Sequence, residues 1–428
     1  MTTLVLGAGV SGIAAARLAR SLGHDIMFYD ERLDASVPSE LQPVSVACGR
    51  WSDDLLEGVD LVITSPGFPP RSRPLRDAQV AHIAITTEVG FALDQITSPY
   101  IAITGTNGKS TVTEAASRML IESGIDAVAA GNIGVPVADL VSVNHEVLVV
   151  ELSSFQLHWW RPRANAAALV NIAPDHLDWH GSFDAYVQAK AEVFRDLEPT
   201  GILAYDIDDA VVHELVSNGS VPSIPCARDR VPFGGNGVEG DTLVVGENRF
   251  RCDLQDASYR LDLVIAATVA LAMGATGEGV GRVIAAFEPG ENRRRVVGVI
   301  DGVTWINDSK ATNPHAAVAA TSSYSAVRLL AGGRNKALDL SAIGQVPTIK
   351  HVYAFGEAGP DIVAVATRPS SLFATMAEAM EAAHSEAEFG DTVLLSPGCT
   401  SFDEFSSYAE RGRVFEDAVR AMNGGDVR

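Results

Sequence analysis

Residues 100–111 read Tyr-Ile-Ala-Ile-Thr-Gly-Thr-Asn-Gly-Lys-Ser-Thr, and their reading decides the fold. The short apolar run Ile101–Thr104 has the character of a buried strand. Gly105, Thr106, Asn107 and Gly108 make a loop, and Lys109, Ser110 and Thr111 open a helix. A loop of this kind wraps phosphates with backbone N–H groups. Its lysine neutralises them, and its hydroxyl is placed for Mg²⁺. One position departs from the usual spacing, with Ile103 where a first glycine is expected. Strand, phosphate loop and helix in that order imply a parallel sheet covered by helices, an α/β fold.

The same rhythm extends towards the N-terminus. Thr2–Leu6, Ile26–Tyr29 and Leu61–Thr64 read as strands, and Ile13–Leu22 as a helix. Between the first strand and that helix lies Gly7-Ala8-Gly9-Val10-Ser11-Gly12, and Asp30 ends the second strand. Glycines there admit a diphosphate to the backbone, and the acid sits at the offset of a ribose ligand. A nicotinamide dinucleotide and a tight turn with no ligand both remain open on this motif alone.

Towards the C-terminus, Val147–Val150 runs into Glu151, whose carboxylate at a strand end suits either Mg²⁺ in the ligand crevice or a cap on the next turn. The strand Ala166–Val170 leads into a polar stretch holding His176 and His180. Four residues apart, they are a zinc pair only if one helix carries both. Pro174 and Gly181 break the segment, which leaves His176 for a Mg²⁺–phosphate site and His180 for a solvated loop. Lys190, on a helical stretch through Phe194, reads on spacing as a surface lysine. Three polar loops follow the strands Val303–Ile306, Val327–Leu330 and Thr392–Leu395. Together they suggest a second anionic substrate.

The 428 residues suggest about three domains. Breaker clusters at Thr97-Ser98-Pro99 and Pro289-Gly290-Glu291-Asn292 divide the chain into 1–95, 96–289 and 290–428. Residues 231–251 read as hairpins and loops. A net charge of −22 argues against nucleic acid and anionic lipid as partners. Four scattered cysteines fit neither a disulfide framework nor a zinc knuckle. No signal peptide is evident, and the longest apolar stretch, Leu263 to Met273, is too short to span a bilayer. A cytoplasmic monomer is the expectation.

Taken together, GTNGKST (105–111), ELSSFQL (151–157), PDHLDWHGSFDAYVQAK (174–190), INDSKATNP (306–314), AGGRNK (331–336) and SPGCTSFDEFSSYAERG (396–412) resemble the Mur ligases. The resemblance runs over nearly the whole chain. It implies an N-terminal Rossmann-like domain that holds a uridine diphosphate sugar through Gly9, Val10, Ser11, Asp30, Glu31 and Gly67, with Asn132 near the reacting end. It implies a central P-loop ATPase domain and a smaller Rossmann-like C-terminal domain for an amino acid.

The implied reaction, within peptidoglycan synthesis, joins D-glutamate to UDP-N-acetylmuramoyl-L-alanine. ATP phosphorylates the acceptor carboxylate, and the amine attacks the acyl phosphate. By resemblance ATP is held by 105–111, Arg293 and Asp308, and two Mg²⁺ ions by Ser110, Glu151, His176 and Lys190. The lysine would serve as a carbamate, which reverses its surface reading. Lys109 is the phosphate-neutralising lysine. Lys310, Thr312, Lys336, Ser401 and Tyr408 match positions around the amino acid. Alternatives are a relative adding L-glutamate or another amino acid, an NAD-dependent oxidoreductase, or a non-catalytic nucleotide-binding protein. The chain departs from the family at the adenine side, with Leu261-Asp262 and Ile265 where a His-Asn pair and a further Asn are common. Arg293 follows Asn292 where a histidine is usual, and Tyr408 replaces a Phe.

Overall fold

The structure is a computed structural model and describes residues 1–423. Five strands, β1 (Thr2–Leu6), β2 (Asp25–Asp30), β3 (Ser45–Cys48), β4 (Leu61–Thr64) and β5 (Ala84–Thr87), make an all-parallel sheet in the order β3-β2-β1-β4-β5. Order reverses between β1 and β4, which opens a crevice beyond their C-terminal ends. The glycine loop lies there. The helix Val10–Ser21 begins at that loop, three residues earlier than the sequence suggests. Gly12 explains the early start, because a Cβ on it would lie 1.9 Å from the Gly7 carbonyl oxygen.

A second parallel sheet comprises β6 (Tyr100–Thr104), β7 (Ala127–Gly131), β8 (Val147–Glu151), β9 (Ala166–Leu169), β10 (Ile202–Asp206) and β11 (Ser223–Cys226), ordered β11-β10-β9-β6-β8-β7. Every residue of β6, β8 and β9 is buried. That explains why they read as unbroken apolar runs with no alternation. The 231–251 region contains a small antiparallel sheet of β12 (Gly237–Glu239), β13 (Thr242–Val245) and β14 (Asn248–Arg251).

The last sheet has six strands: β15 (Arg295–Ile300), β16 (Val303–Asn307), β17 (Val327–Gly332), β18 (Ile349–Phe355), β19 (Ser370–Phe373) and β20 (Thr392–Gly398). Their order is β15-β16-β20-β17-β18-β19, parallel except for the antiparallel edge β15.

The chain packs as two compact units. The first holds residues 1–172, 179–254 and 259–286, and the second holds 173–178, 255–258 and everything described from Phe287 onward. The first two sheets share a unit because an apolar cluster joins them. Ala14, Ala15 and Leu18 of the helix Val10–Ser21 meet Val89 and Phe91 of the helix Glu88–Leu93, with Val137 and Leu140 beneath the second sheet. No helix among the described residues is long and apolar enough to cross a membrane.

Candidate active site

In the first unit the phosphate loop follows β6, and Gly108 caps the helix Lys109–Ile121 without any side-chain hydrogen bond. A helix N-terminus left in this state presents N–H groups to an anion. Gly108 sits at φ +81°, and the Asp262 Oδ1 lies 2.6 Å from where its Cβ would be, so only glycine fits. Lys109 Nζ donates to the carbonyls of Gly105 and Thr106, each at 2.9 Å, which folds the ammonium over the loop. Ser110 and Thr111 are buried in the helix's first turn.

Two neighbours hold the loop in shape, and sequence reading assigned a role to neither. Asn171, just past β9, accepts from the Asn107 N–H (2.8 Å) and donates to its carbonyl (3.1 Å). Its own carbonyl accepts from Thr106 N–H at 2.8 Å. The Tyr186 hydroxyl meets the Thr106 hydroxyl at 2.9 Å. The signal for Asn171 was its place as the first polar residue after a buried strand.

Glu151 ends β8 and is 1% exposed. Its Oε1 accepts from Asn132 Nδ2 at 2.9 Å, and its Oε2 is buried with no hydrogen-bond partner. A buried carboxylate oxygen without a donor is costly unless a cation meets it, and this donor set fits Mg²⁺. That ion is commonly held by one or two carboxylates together with phosphates and water, without an all-protein cage. Among the described residues no group of three or more His, Cys, Asp or Glu side chains is arranged to hold a metal ion.

Lys190 is not a surface lysine. It is 1% exposed on the helix Phe183–Ala191, and its Nζ donates to the Gly105 carbonyl at 2.6 Å. It also lies 3.4 Å from the Thr104 hydroxyl and 4.8 Å from the centre of the Tyr186 ring. His180 is not a solvated loop residue either. Its Nε2 lies 3.0 Å from the Ser154 hydroxyl, and its ring stacks on Phe155. His176 stands before the short helix Leu177–His180 at φ +52°, so the two histidines do not share a helix face.

At the first sheet, Gly9 and Val10 are exposed at the uncapped start of their helix, and Ser11 is half-buried. Glu31 directly follows β2, Gly67 lies three residues past β4, and both are exposed. Asp30 faces the glycine loop: its Oδ2 accepts from the Ala8 N–H at 2.8 Å, and its Oδ1 from the Arg32 backbone at 2.9 Å. The Arg32 guanidinium, with the Ala8 N–H, holds the Asp30 carboxyl far below the ordinary carboxylate range.

The second unit gathers the remaining positions on the loops that follow β16, β17 and β20. Ala311 and Gly398 are tied backbone to backbone, and Arg334 and Thr400 exchange two such bonds. Arg411, fully buried, donates to the Ser309 hydroxyl and carbonyl and to the Cys399 carbonyl. It thus fastens the loop bearing Lys310 to the loop bearing Ser401, a role the sequence did not reveal. Lys310 Nζ lies 5.5 Å from the centre of the half-exposed Tyr408 ring, and Thr312 is partly exposed nearby in sequence. Asp308 is buried and accepts from the Ser396 hydroxyl at 2.8 Å and the Arg294 N–H at 3.2 Å. Burial pushes its carboxyl up to about 6. Arg293 occupies the turn before β15. His176 belongs to this unit, next to Asp175, whose carboxylate lies 2.8 Å from Lys336 Nζ.

Comparison with known proteins finds relatives along the whole chain. Residues 1–87 match the N-terminal domain of MurD-like Mur ligases, 103–227 the Mur ligase middle domain, and 292–399 the Mur ligase glutamate ligase domain. The chain is 37% identical to the UDP-N-acetylmuramoylalanine--D-glutamate ligase of Frankia casuarinae, over 99% of this chain and 95% of that one.

The chain belongs to the Mur ligase family.

The enzyme of the same name from Desulfitobacterium hafniense is 35% identical, covering 97% of both chains. Among solved structures, a pseudomurein peptide ligase type C from Methanothermus fervidus superposes with a TM-score of 0.62 at 17% identity, over 98% of this chain and 99% of that one. The UDP-N-acetylmuramate-alanine ligase MurC of Thermotoga maritima gives 0.59 at 15% identity, over 98% and 99%. These two establish the Mur ligase fold. Membership also removes one of the alternatives: this Mur ligase is no nicotinamide-dependent oxidoreductase.

Proposed function

We propose that this chain joins D-glutamate to UDP-N-acetylmuramoyl-L-alanine, at the expense of ATP, in peptidoglycan synthesis. The observation that carries the reading is the 37% identity, over nearly the full length, to a ligase named for that reaction. The site supplies the means. A carboxylate is a poor electrophile, and phosphorylation turns one of its oxygens into part of a leaving group. The amine then attacks the acyl phosphate, a tetrahedral intermediate forms, and phosphate departs.

Bringing an acceptor carboxylate to a γ-phosphate sets anion against anion, so fixed positive charge is the main requirement. Lys109 and the uncapped N-terminus of Lys109–Ile121 supply it from the protein. ATP is held by residues 105–111, with Arg293 and Asp308 contributing from the last domain. Ser110 and Glu151 would hold one Mg²⁺, and His176 with carbamylated Lys190 a second. Bound there, Mg²⁺ neutralises phosphate oxygens as the second anion approaches. Gly9, Val10, Ser11, Asp30, Glu31 and Gly67 hold the uridine diphosphate sugar, and Asn132 orients its reacting end.

Lys310 and Lys336 pair with the carboxylates of the amino acid, while Thr312, Ser401 and Tyr408 complete its site. A pocket built for two carboxylates disfavours alanine because donors meant for the second carboxylate then go unmatched. The domain limits that go with this reading are 1–95, 96–289 and 290–428, and we assign the enzyme to the cytoplasm as a monomer.

The test is phosphate release by purified enzyme with ATP, Mg²⁺ and UDP-N-acetylmuramoyl-L-alanine, run over a panel of amino acids with both enantiomers of glutamate. Release that depends on D-glutamate is the expected result. Release with L-glutamate or another amino acid instead reassigns the substrate. No release with any of them overturns the reading.

A further inference from the structure

Asp175 has no role in the chemistry above, yet it pairs with Lys336, one of the two cations we place at the amino acid. Asp175 is 5% exposed. Oδ1 accepts from Lys336 Nζ at 2.8 Å and from the His176 N–H at 2.8 Å. Oδ2 accepts from Asn313 Nδ2 at 3.1 Å. Asn313 is itself fixed, because its Oδ1 caps the helix Pro314–Ser322 by accepting from the Ala316 N–H at 2.9 Å. The carboxylate is therefore held on one side by a helix-capping asparagine and on another by the backbone N–H of His176. Lys336, on a flexible four-carbon stem, is the partner that can adapt.

We infer that Asp175 is a positioning residue for the amino-acid substrate: it locks the Lys336 ammonium in the orientation that receives the substrate's carboxylate. A lysine left to itself samples many rotamers and loses up to about 2 kcal/mol of side-chain entropy when a ligand fixes it. Asp175 imposes that ordering before the ligand arrives. One of three ammonium donors is spent on Asp175, and the other two keep defined directions for an incoming anion. A bare cation would attract any anion; an oriented one selects.

The inference rests on the placement of the amino acid at Lys336. Its test is steady-state kinetics of Asp175→Asn with each substrate varied in turn. Loss of preorganisation worth one ordered lysine predicts a KM for D-glutamate raised about tenfold or more, with kcat lowered about threefold or less. KM values for ATP and the UDP-sugar stay within about twofold. A purely structural role would move all three substrates together, and that result overturns the inference. So does an unchanged KM for D-glutamate.

If Asp175→Asn fails to fold, Asn313→Asp serves. Aspartate keeps the helix cap but sets a carboxylate against Asp175, and the KM for D-glutamate is expected to rise alone, about threefold or more. An unchanged value there overturns the inference equally. Wild-type enzyme that makes product with no amino acid overturns the functional reading and this inference together. Active wild type with an indifferent Asp175→Asn overturns only the inference.

Discussion

Lys190 separates two physical roles at a single residue. Its Nζ donates to the Gly105 carbonyl in a site 1% exposed. As an ammonium it would brace the phosphate loop through that bond. As a carbamate it would carry negative charge toward a metal ion. The two roles have opposite signs, so small molecules can tell them apart in a cavity variant. Lys190→Ala is expected to lose about 100-fold or more of its turnover, the scale of removing one electrostatic group from a dry site. Acetate or propionate is expected to restore part of it, whereas added bicarbonate restores none because the amine is gone. Rescue by methylammonium in place of a carboxylate would assign the bracing role, and normal turnover would remove the residue from the site. Sequence spacing alone pointed the wrong way at this position, because nothing local marks a lysine whose acceptor, Gly105, lies 85 residues earlier.

At the level of elements, what was legible in the sequence is what is encoded locally. The strand β6, its glycine loop and the helix after it follow from a dozen consecutive residues, and so does Glu151 at the end of a buried run. The clamps were not legible, because each joins residues far apart in sequence. Asn171 reaches Asn107 across 64 residues, Tyr186 reaches Thr106 across 80, and Arg411 reaches Ser309 across 102. Gly12 misled in a milder way, since a glycine near a helix start reads as loop until its close approach to Gly7 is seen. The phosphate-loop clamp makes a prediction of its own. Asn171→Ala removes two hydrogen bonds from Asn107 and leaves the loop free to sample other shapes, at a cost of about 1–3 kcal/mol. The KM for ATP should rise roughly tenfold while that for D-glutamate stays constant. A variant with equal changes in both would mean that Asn171 supports the whole fold and not the loop.

Over the whole molecule, buried carboxyls with opposite shifts set how stability depends on pH. Burial pushes Glu88 up to about 7, against the pull of the Ala138 N–H it accepts at 2.7 Å. Burial likewise raises Asp206 to about 6, against Arg228, and Asp308 to about 6, against Arg294. A carboxyl raised in the folded state keeps its proton while the unfolded chain has lost it. Its contribution is therefore full below the unfolded value of about 4 and declines as pH rises to the folded value. Asp30, held low by Arg32, acts in reverse: its contribution is present above about 4 and is lost as pH falls towards its folded value. Above about pH 4 the Asp30 contribution is complete while the three raised carboxyls still lose theirs, so these groups together make stability fall from mild acid towards neutrality. The net charge of −22 at pH 7 pushes in the same direction through self-repulsion. Glu88 isolates one contribution, because it lies in the core shared by the first two sheets. Glu88→Gln keeps an oxygen acceptor for the Ala138 N–H and removes the ionisation. Relative to wild type, the variant should gain stability progressively from pH 5 to pH 8, approaching about 3 kcal/mol at the alkaline end. Urea unfolding at several pH values, followed by tryptophan fluorescence, measures that difference directly. Parallel curves for the two proteins would mean that Glu88 ionises at an ordinary pH, and that the joint between the two sheets tolerates its charge.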